Sequence, residues 1–188
     1  MAIETEAKMA VDNLEVVRTR VVERGGKLLA RYLETNTFFD TEDRSLLAAD
    51  KGLRLRLKHN RDTNEEHFVL TFKGPRQPGA LKTREEIEVM VEGAAEAVRL
   101  LECLGYRKVL MFEKRRDSYD LDGCEVELDE LPHLGKFVEI EGPDQDCVMR
   151  ARQNLGLSDR PLIKVGYVSL LAGYLQERGQ QQREVRFG

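Results

Sequence analysis

Charge recurs at every second residue in one segment after another of this chain. Residues 53–58 read Leu-Arg-Leu-Arg-Leu-Lys, a strict alternation. Neighbouring side chains of a β-strand point to opposite faces. Leu53, Leu55 and Leu57 therefore share one face, and Arg54, Arg56 and Lys58 share the other. The same habit opens the chain, where Glu4, Glu6 and Lys8 oppose Ile3, Thr5, Ala7 and Met9. Two carboxylates and an ammonium in a row are odd for a solvated edge. They suit a face that lines a charged cavity holding a metal ion and an anion.

Further segments repeat the pattern. Residues 67–73 set Val69, Thr71 and Lys73 against Phe68, Leu70 and Phe72. Residues 83–91 set Arg84, Glu86 and Glu88 against Glu85, Ile87 and Val89. Residues 109–119 carry Lys114 and Arg116 at strand spacing. Residues 124–130 put Glu125, Glu127 and Asp129 on one face, and residues 136–142 make Glu139 and Glu141 face-mates. With a short strand at 35–41, these make eight candidates. Turn signals such as Asp122-Gly123 join them mostly antiparallel, and no βαβ alternation implies a parallel sheet. Helical patterns fall at about 12–24, 94–104, 144–155 and 166–177. The expected fold class is α+β: a closed eight-stranded antiparallel β-barrel flanked by helices. Residues 1–178 form one domain on this reading, and 179–188 form a polar C-terminal tail that frays.

On this reading apolar positions face outward toward helices and charged positions face the lumen. Such an interior makes physical sense only if its charges compensate one another or hold a ligand. Composition supports mixed charge: charged residues make up 34% of the chain, yet the net charge is only -4. That balance argues against a nucleic-acid polymer as partner, which would call for a basic excess. No apolar run approaches about 18 residues, so no membrane is expected. Cys103, Cys124 and Cys147 form no metal motif, and read as reduced, inert fillers in a cytoplasmic protein. His59, His67 and His133 read as surface residues, and Phe38, Phe39 and Tyr167 as core.

Lys and Arg from several strands converging on one point suit a polyphosphate, because guanidinium grips two oxygens and Lys supplies a point charge. Paired carboxylates suit Mg²⁺ or Mn²⁺, which take oxygen ligands and share them with phosphates. Zinc is not expected, since His and Cys do not cluster. Glu86 and Glu88 read as neutralisers of lumen bases or as ligands. Glu127 is open between metal ligand and salt-bridge partner, and Lys58 falls near the limit of the tunnel.

The ordered set of motifs resembles the CYTH superfamily, the triphosphate tunnel metalloenzymes, which include class IV adenylate cyclases and thiamine triphosphatases. Glu4, Glu6 and Lys8 match its E-x-E-x-K signature. Residues 36–41 resemble N-x-Y-F-D-T, residues 53–56 match L-R-x-R, and 71–74 match T-x-K-G. Arg84, Glu86 and Glu88 match R-x-E-x-E, and Lys114 with Arg116 matches K-x-R. Asp129 and the run 134–141 match the cyclase-like L-D…L-G-x-F-x-E-I-E. Lys164 resembles the lysine of a C-terminal K-S-Y-x-x-L-L region, although Val165 and Gly166 depart from it.

The resemblance implies a triphosphate tunnel. It implies that Glu4, Glu6, Asp129, Glu139 and Glu141 hold Mg²⁺ or Mn²⁺. It implies that Lys8, Arg54, Arg56, Lys73, Arg84, Lys114, Arg116 and Lys164 bind a triphosphate-containing small molecule, with Lys8, Glu4 and Glu6 at the reacting centre. Three functions stay open. In a triphosphatase acting on inorganic, thiamine or nucleoside triphosphate, water attacks the terminal phosphorus. In a class IV adenylate cyclase, the ribose 3′-hydroxyl attacks the α-phosphorus of ATP and releases pyrophosphate. A non-catalytic sensor would bind without turnover. A monomer or a homodimer is compatible with all three.

Overall fold

The computed structural model describes residues 2–188, and of residues 2–4 the backbone alone. The side chains of Ile3 and Glu4 therefore lie outside the described part. Along the chain run β1 (Ala2–Val11), α1 (Leu14–Glu23), β2 (Lys27–Asp40), α2 (Ser45–Ala48), β3 (Gly52–Asn60), β4 (Glu66–Lys73) and β5 (Lys82–Val91). Then follow α3 (Ala94–Cys103), β6 (Arg107–Leu121), β7 (Cys124–Leu131), β8 (Gly135–Gly142), α4 (Gln145–Asn154), α5 (Tyr167–Glu177) and β9 (Glu184–Val185).

The strands pair in the order β2-β3-β4-β5-β1-β8-β7-β6, and β6 pairs back onto β2. Eight antiparallel strands thus close a barrel, as the alternation predicts. The closing seam is the longest pairing, running from Lys27 opposite Asp120 to Asp40 opposite Arg107. It contains irregularities at Leu28/Ala30 and Phe38/Phe39. β2 is longer than the short strand expected at 35–41, because β6 supplies a partner for its whole first half.

The outward faces pack under helices. Val17 and Val21 of α1, and Val148, Ala151 and Leu155 of α4, bury against Ala7, Met9, Val126, Leu128, Val138 and Ile140. Each of the Val, Leu, Ile and Met side chains among them contributes about 1.5–3 kcal/mol when fully buried. Both of these helices carry a side-chain cap: Asn13 accepts from Glu15 N at 2.9 Å, and Asp144 accepts from Cys147 N at 2.8 Å. α3 covers the other side, where Leu101 packs on Leu53 and Leu55.

The charged-in, apolar-out rule fails at one end of the barrel. Leu110, Phe112, Leu131 and Phe137 lie on the inward rows, and α5 packs on them through Tyr167, Leu171 and Leu175. A helix therefore stoppers part of that mouth. The fraying expected for the tail also needs correction. β7 pairs with β6 only up to Arg115, which leaves the edge at Met111 and Phe112 without a partner strand. Unpaired backbone groups on an edge attract a strand. β9 takes that place in parallel with β6, and Val185 is 1% exposed.

Candidate functional site

The barrel encloses a cavity of about 1340 Å³ lined by residues of both signs. The alternating strands put them there. β1 supplies Glu6 and Lys8, β3 supplies Arg54 and Arg56, β6 supplies Lys114 and Arg116, β7 supplies Glu127 and β8 supplies Glu139. All eight side chains are buried.

On one wall, Arg116 is the common counter-ion of three carboxylates. Its Nε and Nη2 donate to Asp129 at 2.7 and 2.6 Å, and it also donates to Glu127 and Glu139. Asp129 further accepts from Lys114 Nζ at 3.2 Å and from the Tyr167 hydroxyl at 2.9 Å. Asp129 is fully buried. Lys8 bridges two strands, with Nζ 2.9 Å from Glu139, 3.0 Å from Glu6 and 4.3 Å from the centre of the Tyr167 ring. Lys82 Nζ meets the other oxygen of Glu6 at 2.5 Å.

The electrostatics follow from this packing. Burial would lower the Lys8 ammonium, but Glu139 and Glu6 outweigh it and raise it. Burial would raise Glu139, but Lys8, Arg116, Lys114 and Lys82 hold it well below the usual carboxylate range. Glu127 moves the opposite way. Burial pushes it well above the ordinary range, and the attraction of Arg116 does not offset burial plus the repulsion of Asp129 and Glu139. Burial, Asp129 and Glu139 also raise the Tyr167 hydroxyl, which keeps it a donor.

The opposite wall carries cations with spare hydrogen-bonding capacity. Arg56 donates to Asn36 Oδ1 at 2.8 Å and pairs with Glu34 at 3.2 Å. Glu34 is wholly buried, with Lys114 also 3.2 Å away. Burial would raise its carboxyl, yet Arg56, Lys114 and Arg116 hold it well below the usual range. Arg54 reaches Thr71 at 3.1 Å and Glu88 at 3.4 Å. Burial and then the neighbouring Arg56 push the Arg54 guanidinium down to about 10. Arg54 Nε, Arg84 Nε and Asn36 Nδ2 are buried without a hydrogen-bond acceptor. All three residues line the cavity.

Lys73 pairs with Glu86, and Arg84 lies 3.8 Å from Asp50. Lys58 lines the cavity, and burial lowers its ammonium. Lys164 stands apart: it is exposed, and its Nζ donates to Gly79 O at 2.8 Å on the loop after β4. Of the acids expected at a metal, Glu6, Glu139 and Glu141 line the cavity. Asp129 lies behind them, held by Arg116, Lys114 and Tyr167.

Among the described residues, Glu127, Asp129 and Glu139 bring carboxylate oxygens within 4.8 Å of one another. Glu127 Oε2 is buried with no hydrogen-bond partner. An all-oxygen set with a spare lone-pair site fits a hard divalent cation. The chain thus offers unsatisfied acceptors and unsatisfied donors in one enclosure, which suits a cation and a polyanion bound together.

Sequence reading missed three members of this site. Glu34 lies one residue before the strand expected at 35–41, and Lys82 one residue before the strand expected at 83–91. Each continues the period-2 row of its strand, so a longer strand would have included it. Tyr167 reads as core because it sits at helical spacing, and nothing local reveals that its hydroxyl reaches Asp129.

The CYTH domain family matches residues 2–159 of the chain. A Methanocaldococcus jannaschii protein, MJ0240, provisionally named an adenylate cyclase, is 29% identical over 177 residues. That match covers 89% of this chain and 98% of the relative. The solved structure of PH1819 from Pyrococcus horikoshii OT3 superposes with a TM-score of 0.80 at 27% identity, covering 91% of this chain and 99% of that one. HpAC1 of Hippeastrum is provisionally an adenylyl cyclase and is described as having a dominant triphosphatase activity. It shares the fold at a TM-score of 0.68 and 18% identity, over 97% of this chain and 98% of that one. No described helix is long and apolar enough to cross a membrane.

Proposed function

Because this chain belongs to the CYTH domain family, we propose that it is a divalent-metal-dependent enzyme that hydrolyses a triphosphate inside the barrel. The observation that carries this reading is the set of buried donors left without acceptors, Arg54 Nε, Arg84 Nε and Asn36 Nδ2. They face carboxylates across the same cavity. A buried guanidinium whose charge is under-compensated favours an anion, and phosphate oxygens match its fork.

On this proposal Arg54, Arg56, Lys73, Arg84, Lys114 and Arg116 position and neutralise the phosphates, with Lys82 added to the set. Lys8 sits at the reacting end, beside Glu6 and Glu139. Those two carboxylates, with Glu141, Asp129, Glu4 and the unsatisfied oxygen of Glu127, would hold Mg²⁺ or Mn²⁺. The cation would supply further neutralisation of charge on the transferring phosphoryl group. Phosphoryl transfer depends mostly on such positioning and electrostatics. Lys164 has no part in the cage as proposed here.

A second reading is a cyclase, favoured by the provisional name of MJ0240. The same cage would then present the α-phosphorus to the ribose hydroxyl. One experiment separates the two: incubate the protein with ATP, tripolyphosphate and thiamine triphosphate in turn, each with Mg²⁺ or Mn²⁺. We expect orthophosphate. Cyclic AMP with pyrophosphate would move the assignment to the cyclase, and binding without product to a sensor.

Arg54→Ala tests the phosphate role. A hydrogen bond to a charged group contributes roughly 1.5–3 kcal/mol, a factor of about 10 to 150. The substitution should raise KM by that factor and change kcat less. An unaltered KM would remove Arg54 from the proposed site.

A further inference from the structure

Outside the tunnel, on the far side of the β7–β8 wall, two thiols meet. Cys124 and Cys147 are both free and buried, and their Sγ atoms lie 2.9 Å apart. Cys124 is the first residue of β7. It follows the turn at Asp122 and Gly123, both of positive φ. Cys147 lies in the first turn of α4, fixed by the hydrogen bond of its own N–H to the capping carboxylate of Asp144. Neither sulfur sits on a loop free to drift. Gly142, at the end of β8, leaves room for the pair: a Cβ there would fall 2.8 Å from the Cys124 sulfur.

We propose that Cys124 and Cys147 are an oxidation site of this protein, closing to an intramolecular disulfide when the oxidant is a peroxide. Cys147 is the more accessible of the two, 8% exposed against 2% for Cys124. Its sulfur attacks one peroxide oxygen, the O–O bond breaks, and water leaves once the thiol proton has been transferred. Cys147 is then a sulfenic acid. The Cys124 sulfur attacks that sulfur, the S–O bond breaks, and a second water leaves with the Cys124 proton. Two thiols are oxidised by two electrons and one peroxide is reduced to two waters. The juxtaposition makes the second step intramolecular, so it outruns attack by a thiol from another molecule.

The bond would tie α4 to the start of β7, across the end of β8. Those strands carry Glu127, Glu139 and Glu141. The closed form should therefore be the more stable, because the crosslink shortens the loop open to the unfolded chain. The thiol of Cys124 is pushed up to about 12 by burial and by the neighbouring Cys147, so closure is slow at neutral pH and quickens as pH rises. Cys103 is exposed on α3 and lies outside this pair.

The test compares the full chain before and after hydrogen peroxide, by thiol titration in denaturant and by intact mass. The reduced chain has three thiols. For the Cys103→Ser variant, which leaves the pair untouched, peroxide should remove both remaining thiols with a mass loss of about 2 Da and no covalent dimer. Dithiothreitol should restore both, and the oxidised form should melt higher by several degrees. Cys124→Ser added to that background should show no mass loss and instead gain oxygen at Cys147. Retention of two titratable thiols in Cys103→Ser after peroxide would overturn the proposal, as would oxygen addition without crosslinking. The outcome does not depend on which triphosphate, if any, the barrel accepts.

Discussion

Glu139→Gln is expected to lower metal-dependent turnover by about 10³-fold while leaving the barrel folded. Glu139 meets Lys8 at 2.9 Å and also accepts from Arg116. It lines the cavity beside Glu6 and within ligand distance of Glu127. Glutamine keeps the shape and one acceptor, so Lys8 retains Glu6 and Arg116 retains Asp129 and Glu127. What disappears is one negative charge at the proposed cation site. Charge stabilisation by a bound cation contributes several kcal/mol to the transition state, and each 1.36 kcal/mol is tenfold in rate. The measurement is phosphate release as a function of Mg²⁺ or Mn²⁺ concentration, with thermal melting alongside. Turnover within tenfold of the parent at all metal concentrations would remove Glu139 from the site. A collapse in melting temperature would mean that its role is structural.

Arg116→Met should have the largest effect on stability. It removes the cation shared by Glu127, Asp129 and Glu139, all of them buried. Breaking a buried ion pair from one side costs roughly 3–5 kcal/mol, because the remaining charge is left uncompensated. For a chain of this size, that corresponds to a fall in Tm of about 6–20 °C. The loss should depend on pH with a definite sign. Without Arg116, Glu127 and Glu139 lose a cation that lowers them, so the folded variant favours their protonated forms more than the folded parent does. That contribution is present at low pH and is lost as pH rises through the raised values. The deficit against the parent should therefore widen from about pH 4 to pH 7. Urea unfolding at both values checks it. A loss under about 1 kcal/mol, or one independent of pH, would show that Lys8 and Lys114 carry the cluster without Arg116.

Much of this architecture is legible along the chain because the side-chain period of a strand is local. Leu53 to Lys58, or Cys124 to Glu130, declares in six or seven residues which side faces in. Caps are equally local: Asn13 and Asp144 each accept from a backbone N–H in the first turn of the helix that follows. Strand ends are less legible. Propensity at residues 27–34 is ordinary, and β6 alongside, joined by β3 from Tyr32 onward, makes that segment extended. Glu34 and Lys82 were lost in this way, each one residue outside a boundary. The tail shows the same dependence: its Gln-rich lead-in reads as frayed, yet Glu184–Val185 pairs because β6 has an edge to offer.

The sequence by itself determined that this chain closes into a barrel with apolar residues outside and, away from the end stoppered by α5, opposite charges within. Alternation over many strands admits few other ways to bury the apolar rows. Only the tertiary structure decided which charges meet. Arg116 is the counter-ion of Glu139, and Lys114 that of Glu34, through pairings across β-strands distant in the chain. Tyr167 reaches Asp129 from a helix that stoppers one mouth. The two buried cysteines touch because α4 lies across the ends of β7 and β8. Local periodicity fixes the direction of a side chain, whereas its partner depends on register and closure between residues far apart. The balance of free and neutralised charge that defines the site is set by those partners.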